Sequence, residues 1–358
     1  LKATFRPALA HPSGPAHATC VCLRGLAAMG ESGRLKALTE MFKVSHNIPS
    51  TPLRALSGDV RERTIWAYWA QGPEQMPSMF RLCVDTWRHH NPDWDIRVLQ
   101  QSVLHEFLSE ADLPNRFRHM FSHQTMSDCV RLALLARYGG VWLDVNVLLQ
   151  QSLDELCWGA ISSGEASAAA FFHPDYGTKK LGGEDFIESW FLATKAGNPF
   201  FMRWRDLLRE LLHNRLDVNG LVEHPLYQGL DLSGFDRLNE EFRASFDFRE
   251  YLAIHAMCHR LLETEPASRE QWRASWRRLD AAATAFSVQR AAEAEGQKAA
   301  LVFLAGDARW DALARGTPLI KFTTPHYREL ALMPAEVLLD ERSLLGRLLR
   351  ASGAGPEE

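Results

Sequence analysis

The stretch Thr125–Leu149, TMSDCVRLALLARYGGVWLDVNVLL, decides how this chain is read. Val130, Leu134, Leu135 and Tyr138 recur at helical spacing behind Ser127 and Asp128, residue types that favour helix starts. Gly139 suits the left-handed position that closes a helix, and Gly140 lets the chain double back. Val141, Trp142 and Leu143 are strand formers, and Asp144 and Asn146 follow them. A helix from Asp128 to Tyr138 climbs about 15 Å, and a strand from Gly140 to Asn146 returns about 20 Å. The start of the helix and the end of the strand therefore meet at one level. Asp128 and Arg131 share a helix face and are expected to look toward Asp144 and Asn146. Two carboxylates, a carboxamide and a guanidinium would then converge at the carboxyl end of a strand, where open α/β sheets bind ligands.

Outward from this block, Thr64–Trp69 reads as an apolar strand. Pro77–His90 reads as an amphipathic helix with Met79, Leu82, Cys83, Thr86 and Trp87 on one side. Asn91-Pro92 breaks that helix, and Trp94–Leu99 is a second strand. Strand, helix, strand at this spacing predicts a βαβ unit and a parallel sheet. Further on, the sequence predicts a helix over Gln101–Glu110 and a buried strand over Ala168–Phe172. A polar, glycine-rich loop from His173 to Asp185 is suited to moving over a site. Asn198-Pro199 opens a helix from Phe200 to about Leu212. Residues 215–315 read as mostly polar helix on the acceptor side of the domain. Pro318–Tyr327 reads as a short strand and turn. The expected organisation is a partly helical extension over 1–60, with a short helix around Arg34–Phe42. A main domain follows over 61–330, and amphipathic helices over 331–358.

Composition narrows the function classes. The 358 residues are 46% hydrophobic and 23% charged, as in soluble globular proteins. Forty basic against forty-four acidic residues, net −4, gives no electrostatic footprint for nucleic acid. No run of eighteen apolar residues predicts a membrane span, and the start lacks the compact apolar core of a secretion signal. The C-terminal helices are not strongly basic, so docking on the domain is preferred over peripheral contact with a membrane face. Cys20, Cys22, Cys83, Cys129, Cys157 and Cys258 form no metal-knuckle spacing, which reads as a reduced, cytoplasmic protein. No GxGxxG stands between a strand and a helix, which argues against a dinucleotide dehydrogenase.

The pattern S-D-x-x-R-x-x-x-L-x-x-Y-G-G-x-W-x-D-x-N, Ser127 to Asn146, resembles the bacterial capsular polysaccharide synthesis family of sugar transferases. More distantly it is similar to DXD sugar transferases that include yeast initiating mannosyltransferases and large clostridial glucosylating toxins. The resemblance extends to I-W-x-Y-W-x-Q-G at Ile65–Gly72, to I-x-x-W-F-x-x-x-K-x-G-N-P at Ile187–Pro199, and to the closing segment Pro318–Tyr327. It implies a GT-A-like, Rossmann-related α/β fold with a mostly parallel central sheet and added helices. It also implies a nucleotide-diphosphate sugar as donor, a UDP-sugar foremost, with Mn²⁺ or Mg²⁺ and a glycan acceptor. The implied task is extension of a bacterial surface polysaccharide or related glycan, with retention of anomeric configuration.

By the same resemblance, Asp144 would meet the metal or the ribose and sugar hydroxyls, and Asn146 would meet the metal. Asp128 and Arg131 would hold donor-sugar hydroxyls, with Arg131 also near the phosphate. The loop after Tyr68 and Trp69 would hold the base. Lys321 and His326 would reach the diphosphate or the metal. Asn146 departs from the DXD pattern; a neutral carbonyl oxygen where the wider group has a carboxylate should weaken metal binding. Residue chemistry alone leaves other roles open. Asp128 and Arg131 also fit an i,i+3 ion pair, Tyr68 and Trp69 sheet core, and Lys321 and His326 solvated loop. Glu184 and Asp185 could orient an acceptor hydroxyl, whereas His89 and His90 read as surface. Two other functions compete with the first: a catalytically silent sugar-nucleotide or glycan-binding protein, and a transferase that modifies protein side chains.

Overall fold

Strand β1, Thr64–Tyr68, shows how the sheet is built. Ile65 and Ala67 pack into one apolar cluster and Trp66 and Tyr68 into another. The strand is thus covered on both faces, which is why it reads as continuous apolar sequence instead of an alternation. The computed structural model describes residues 59–323 and 327–355. The helix expected around Arg34–Phe42, nearly all of the 1–60 extension, and His326 lie outside them.

Helix α1, Ser78–His90, follows β1 and buries Met79, Leu82, Cys83, Thr86 and Trp87, the side expected from its spacing. It ends at Asn91, and β2, Asp95–Leu99, pairs parallel with β1. Helix α2, His123–Tyr138, then leads through Gly139 into β3, Gly139–Leu143, which lies parallel to β1 on its other side. The six-stranded sheet has the order β2-β1-β3-β6-β5-β7, with β5 at Ala168–Phe172, β6 at Ile187–Lys195 and β7 at Trp276–Asp280. Strand β6 runs antiparallel to both β3 and β5; the other pairings are parallel. This is the mixed α/β fold with a mostly parallel central sheet that the sequence led us to expect.

Helix α3, Pro199–Leu211, is capped by Asn198, whose side chain accepts the Phe200 amide at 3.0 Å. It packs with α2 and α4, Ala253–Thr264, in the larger apolar cluster. A second small sheet joins β4, Val147–Leu149, antiparallel to β8, Leu319–Lys321. Leu148 and Ile320 of this pair anchor a third cluster with α5, Leu344–Ala351, the last of the expected C-terminal helices.

Several expectations are corrected. Helix α2 begins one turn before Ser127: Ser122 caps it by accepting the Thr125 amide at 3.2 Å. Asp128 is therefore a mid-helix residue, buried, and free of any capping duty. The segment expected as helix over Gln101–Glu110 forms two 3₁₀ turns, Gln101–Glu106 and Glu110–Asp112. Strand β6 forms where the sequence predicts no defined element, and β7 lies inside the region expected as helix. The Gly139-Gly140 turn is as tight as expected, with φ of 67° and 89°. A Cβ on Gly140 would stand 2.4 Å from the Thr64 carbonyl oxygen, so β1 and β3 could not approach with any other residue there.

Candidate active site

Helix α2 and the ends of β3 and β8 bring charged residues to one place. Asp144 follows β3 directly, and its amide donates to the Trp190 carbonyl of β6 at 3.0 Å. One turn of chain then leads to β4, with the Val147 amide donating to the Asp144 carbonyl at 3.1 Å. Arg131 of α2 is 4% exposed and donates from Nη2 to Asp144 Oδ1 at 3.0 Å. Trp142 Nε1 donates to the same oxygen at 3.0 Å. Lys321, the last residue of β8 and 5% exposed, donates from Nζ to Asp144 Oδ2 at 2.7 Å and to Asn146 Oδ1 at 2.6 Å. Asn146 in turn donates from Nδ2 to the Phe322 carbonyl at 2.5 Å.

Asp128 completes the constellation from behind. Arg131 Nη1 lies 3.1 Å from Asp128 Oδ1, an ion-pair distance without hydrogen-bond alignment. The guanidinium also sits 4.9 Å from the centre of the Trp142 ring. Within this constellation two carboxylates and two cations balance, and Asp144, at 29% for its side chain, is the more exposed of the two carboxylates. Asp128, Arg131, Asp144, Asn146 and Lys321 all line one cavity of about 430 Å³, a size that suits a ligand of the nucleotide-sugar class.

Electrostatics separates the two carboxylates. Burial alone would raise Asp144, but Lys321 and Arg131 outweigh it and hold the carboxyl well below the usual range. For Asp128 burial wins: Arg131 and His255 only partly offset it, and the carboxyl is pushed up to about 6. The linkage signs are opposite. Asp144 stabilises the fold above the pH at which an unfolded Asp titrates, and that contribution is lost as acid protonates it. Asp128 takes up its proton in the folded chain first, so between about pH 6 and pH 4 it adds stability as pH falls. Asp128→Asn should therefore gain on the parent chain by on the order of 2 kcal/mol from about pH 4 to pH 7. Urea denaturation at the two pH values measures this; a pH-independent difference would contradict the assignment.

The rest of the cavity was not foreseen. Glu188 and Trp190 come from β6, His173 and Tyr176 from the segment after β5, and His255 from α4. Glu188 Oε2 is 3.9 Å from His255 Nε2. Phe242, Phe248, Tyr251, Leu252 and Phe286 add aromatic and aliphatic lining to the cavity. Several residues that line the cavity carry a buried polar atom with no hydrogen-bond partner: Arg131 at Nε, Trp190 at Nε1, His173 at Nδ1 and His255 at Nδ1. Native interiors leave few such groups, and a ligand is one reason to keep them.

Other expected residues lie elsewhere. Tyr68 is buried in the core beside Trp66, and Trp69 packs against Phe80 at 5.6 Å between ring centres; neither lines this cavity. Asp185 is 3% exposed and serves the chain itself, accepting the Thr178 amide at 2.8 Å and the Thr178 hydroxyl at 2.9 Å, with His259 Nδ1 at 3.1 Å. Glu184 pairs with Arg278 on the surface. The segment expected to move over the site is thus pinned at its end. Its earlier residues, His173 and Tyr176, are the ones that face the cavity.

Residues 38–218, just over half of the chain, match the model of the capsular polysaccharide synthesis protein family. Among curated proteins, the chain is similar to glycosyltransferase afumC of Aspergillus fumigatus, 32% identical over 54% of this chain and 52% of that protein. It is also similar to O-glycosyltransferase braB of Annulohypoxylon truncatum, 28% identical over 50% of this chain and 45% of that protein. The chain spans about half the length of the curated relatives it matches. Among solved structures, the galactosyltransferase LgtC, in complex with donor and acceptor sugar analogs, aligns over 82% of this chain and 97% of its own at 12% identity and a TM-score of 0.36.

Proposed function

The chain belongs to the capsular polysaccharide synthesis protein family, and we propose that it is a glycosyltransferase moving a sugar from a nucleotide-diphosphate sugar to a hydroxyl group. The observation that carries this reading is the meeting of Arg131, Lys321 and Asp144 at the end of β3, inside a cavity large enough for such a donor. The relatives' names, glycosyltransferase and O-glycosyltransferase, support the same reading. Because those relatives are fungal, we do not extend the acceptor to a bacterial surface polysaccharide.

In the proposed reaction the acceptor oxygen forms a bond to the anomeric carbon. The bond from that carbon to the diphosphate oxygen breaks with its electron pair on the diphosphate. Arg131 and Lys321 stabilise the charge that develops there, in a buried site where such interactions are strong. Asp128 and Asp144 accept hydrogen bonds from donor hydroxyls. The acceptor proton goes to a cavity carboxylate, for which Glu188, on the strand beside Asp144, is our candidate. The aromatic lining around Phe248 and Tyr251 would receive the apolar faces of sugar or acceptor.

Four buried free cysteines, Cys83, Cys129, Cys157 and Cys258, support a reducing, cytoplasmic setting as part of this reading. Among the described residues, no helix is long and apolar enough to cross a membrane. The test is to incubate the chain with a panel of UDP- and GDP-sugars and measure nucleoside diphosphate release. Release from one donor class, accelerated by a hydroxyl acceptor, is expected. Binding of a donor with no release under any condition would favour a silent binding protein.

A further inference from the structure

The family resemblance brings a divalent cation, and the residues named for it can be tested for fit. Of the three, His326 lies outside the described residues. Asn146 has its amide committed to the Phe322 carbonyl and its oxygen to Lys321. Asp144 has Oδ2 committed to Lys321, and Oδ1 to Arg131 and Trp142. The described residues contain no group of three or more His, Cys, Asp or Glu side chains placed to hold a metal ion. The donor set does not fit a divalent cation: its oxygens already hold an ammonium.

We propose that Lys321 is the resident cation of this site and that donor binding does not require a metal ion. The position is built for it. Residue 321 pairs with Val147 across the β4–β8 ladder, which sets its backbone directly beside the Asp144–Asn146 turn. Its Nζ also lies 5.6 Å from the centre of the Trp190 ring. A divalent ion bridging Asp144 Oδ2 and Asn146 Oδ1 would have to expel a 5% exposed ammonium and leave it unpaired nearby. An ammonium carries three donors; two are spent on these oxygens, which leaves a third for a diphosphate oxygen. The neutral Asn146 fits the same arrangement. A monovalent cation shared between one carboxylate and one carbonyl is balanced with Arg131 and Asp128 alongside, where a second carboxylate would leave excess negative charge facing the diphosphate.

This inference rests on the glycosyltransferase reading, and calorimetric binding of UDP and GDP separates the two. With the parent chain, the diphosphate that binds should do so equally well in EDTA and in Mn²⁺. Lys321→Met should weaken that binding by roughly tenfold or more in EDTA, and Lys321→Arg should retain most of it. Binding by the parent chain only with Mn²⁺ overturns the role of Lys321 and leaves the glycosyltransferase reading standing. Undiminished binding by Lys321→Met does the same. If neither diphosphate binds under any condition, both readings fall. Should Lys321→Met fail to fold, the EDTA and Mn²⁺ comparison on the parent chain still decides the question.

Discussion

Asp144→Asn should lower the rate of sugar transfer by about 10²–10³-fold or more while the chain still folds. Among the described residues, the carboxylate is the only anion in contact with both cations, accepting from Arg131 at 3.0 Å and from Lys321 at 2.7 Å. Removing its charge leaves two buried cations facing each other, and both lose the orientation that aims them into the cavity. Asparagine keeps the shape and one carbonyl acceptor, so β3 and the following turn should survive. Circular dichroism and urea denaturation check the fold, and nucleoside diphosphate release checks the rate. A variant that transfers sugar like the parent chain would remove Asp144 from the site. Alanine is the harsher choice, because it also leaves the Trp142 indole without its acceptor.

Arg131→Ala should be damaging twice over. The side chain is 5% exposed and pairs with Asp128 at 3.1 Å and Asp144 at 3.0 Å. Breaking a buried pair costs about 3–5 kcal/mol because the remaining charge is uncompensated. Activity should fall with it. Arg131→Lys separates the two effects. The charge stays, so much of the stability should return. A single ammonium cannot replace the fork that spans two carboxylates and leaves Nε over, so transfer should remain at least about tenfold depressed. Equal rates for Arg131→Lys and the parent chain would make Arg131 purely structural.

The central block was legible because its signals are local. Gly139 and Gly140 carry positive φ that few other residues adopt, and the apolar spacing before them has a helical period. Contact between Arg131 and Asp144 followed from opposite runs of helix and strand of similar length. The strand and turn around Lys321 were also legible, but its partner was not, since the ladder that sets Lys321 beside Val147 joins residues far apart in the chain. Strand β6, IESWFLATK, carried the family pattern yet was not read as a strand; covered on both faces, it shows no clean alternation. Strand β7, WRRLD, was hidden by Arg277 and Arg278, which point to solvent from the edge of the sheet. Asp185 and Tyr68 are both engaged within the chain. Sequence shows that a residue can bind something, and here the partners are Thr178 and His259 for one and the core for the other. The aromatic lining comes from segments around residues 242–252 and 286, whose convergence only the fold reveals.

The most direct test of the donor site is nucleoside diphosphate release from the panel of UDP- and GDP-sugars, run side by side on the parent chain and Asp144→Asn. The account predicts that the parent chain consumes one donor class and that Asp144→Asn, folded to the same extent, consumes it about 10²–10³-fold more slowly. Equal consumption by the two chains, or none by the parent chain with any donor and acceptor, would contradict it.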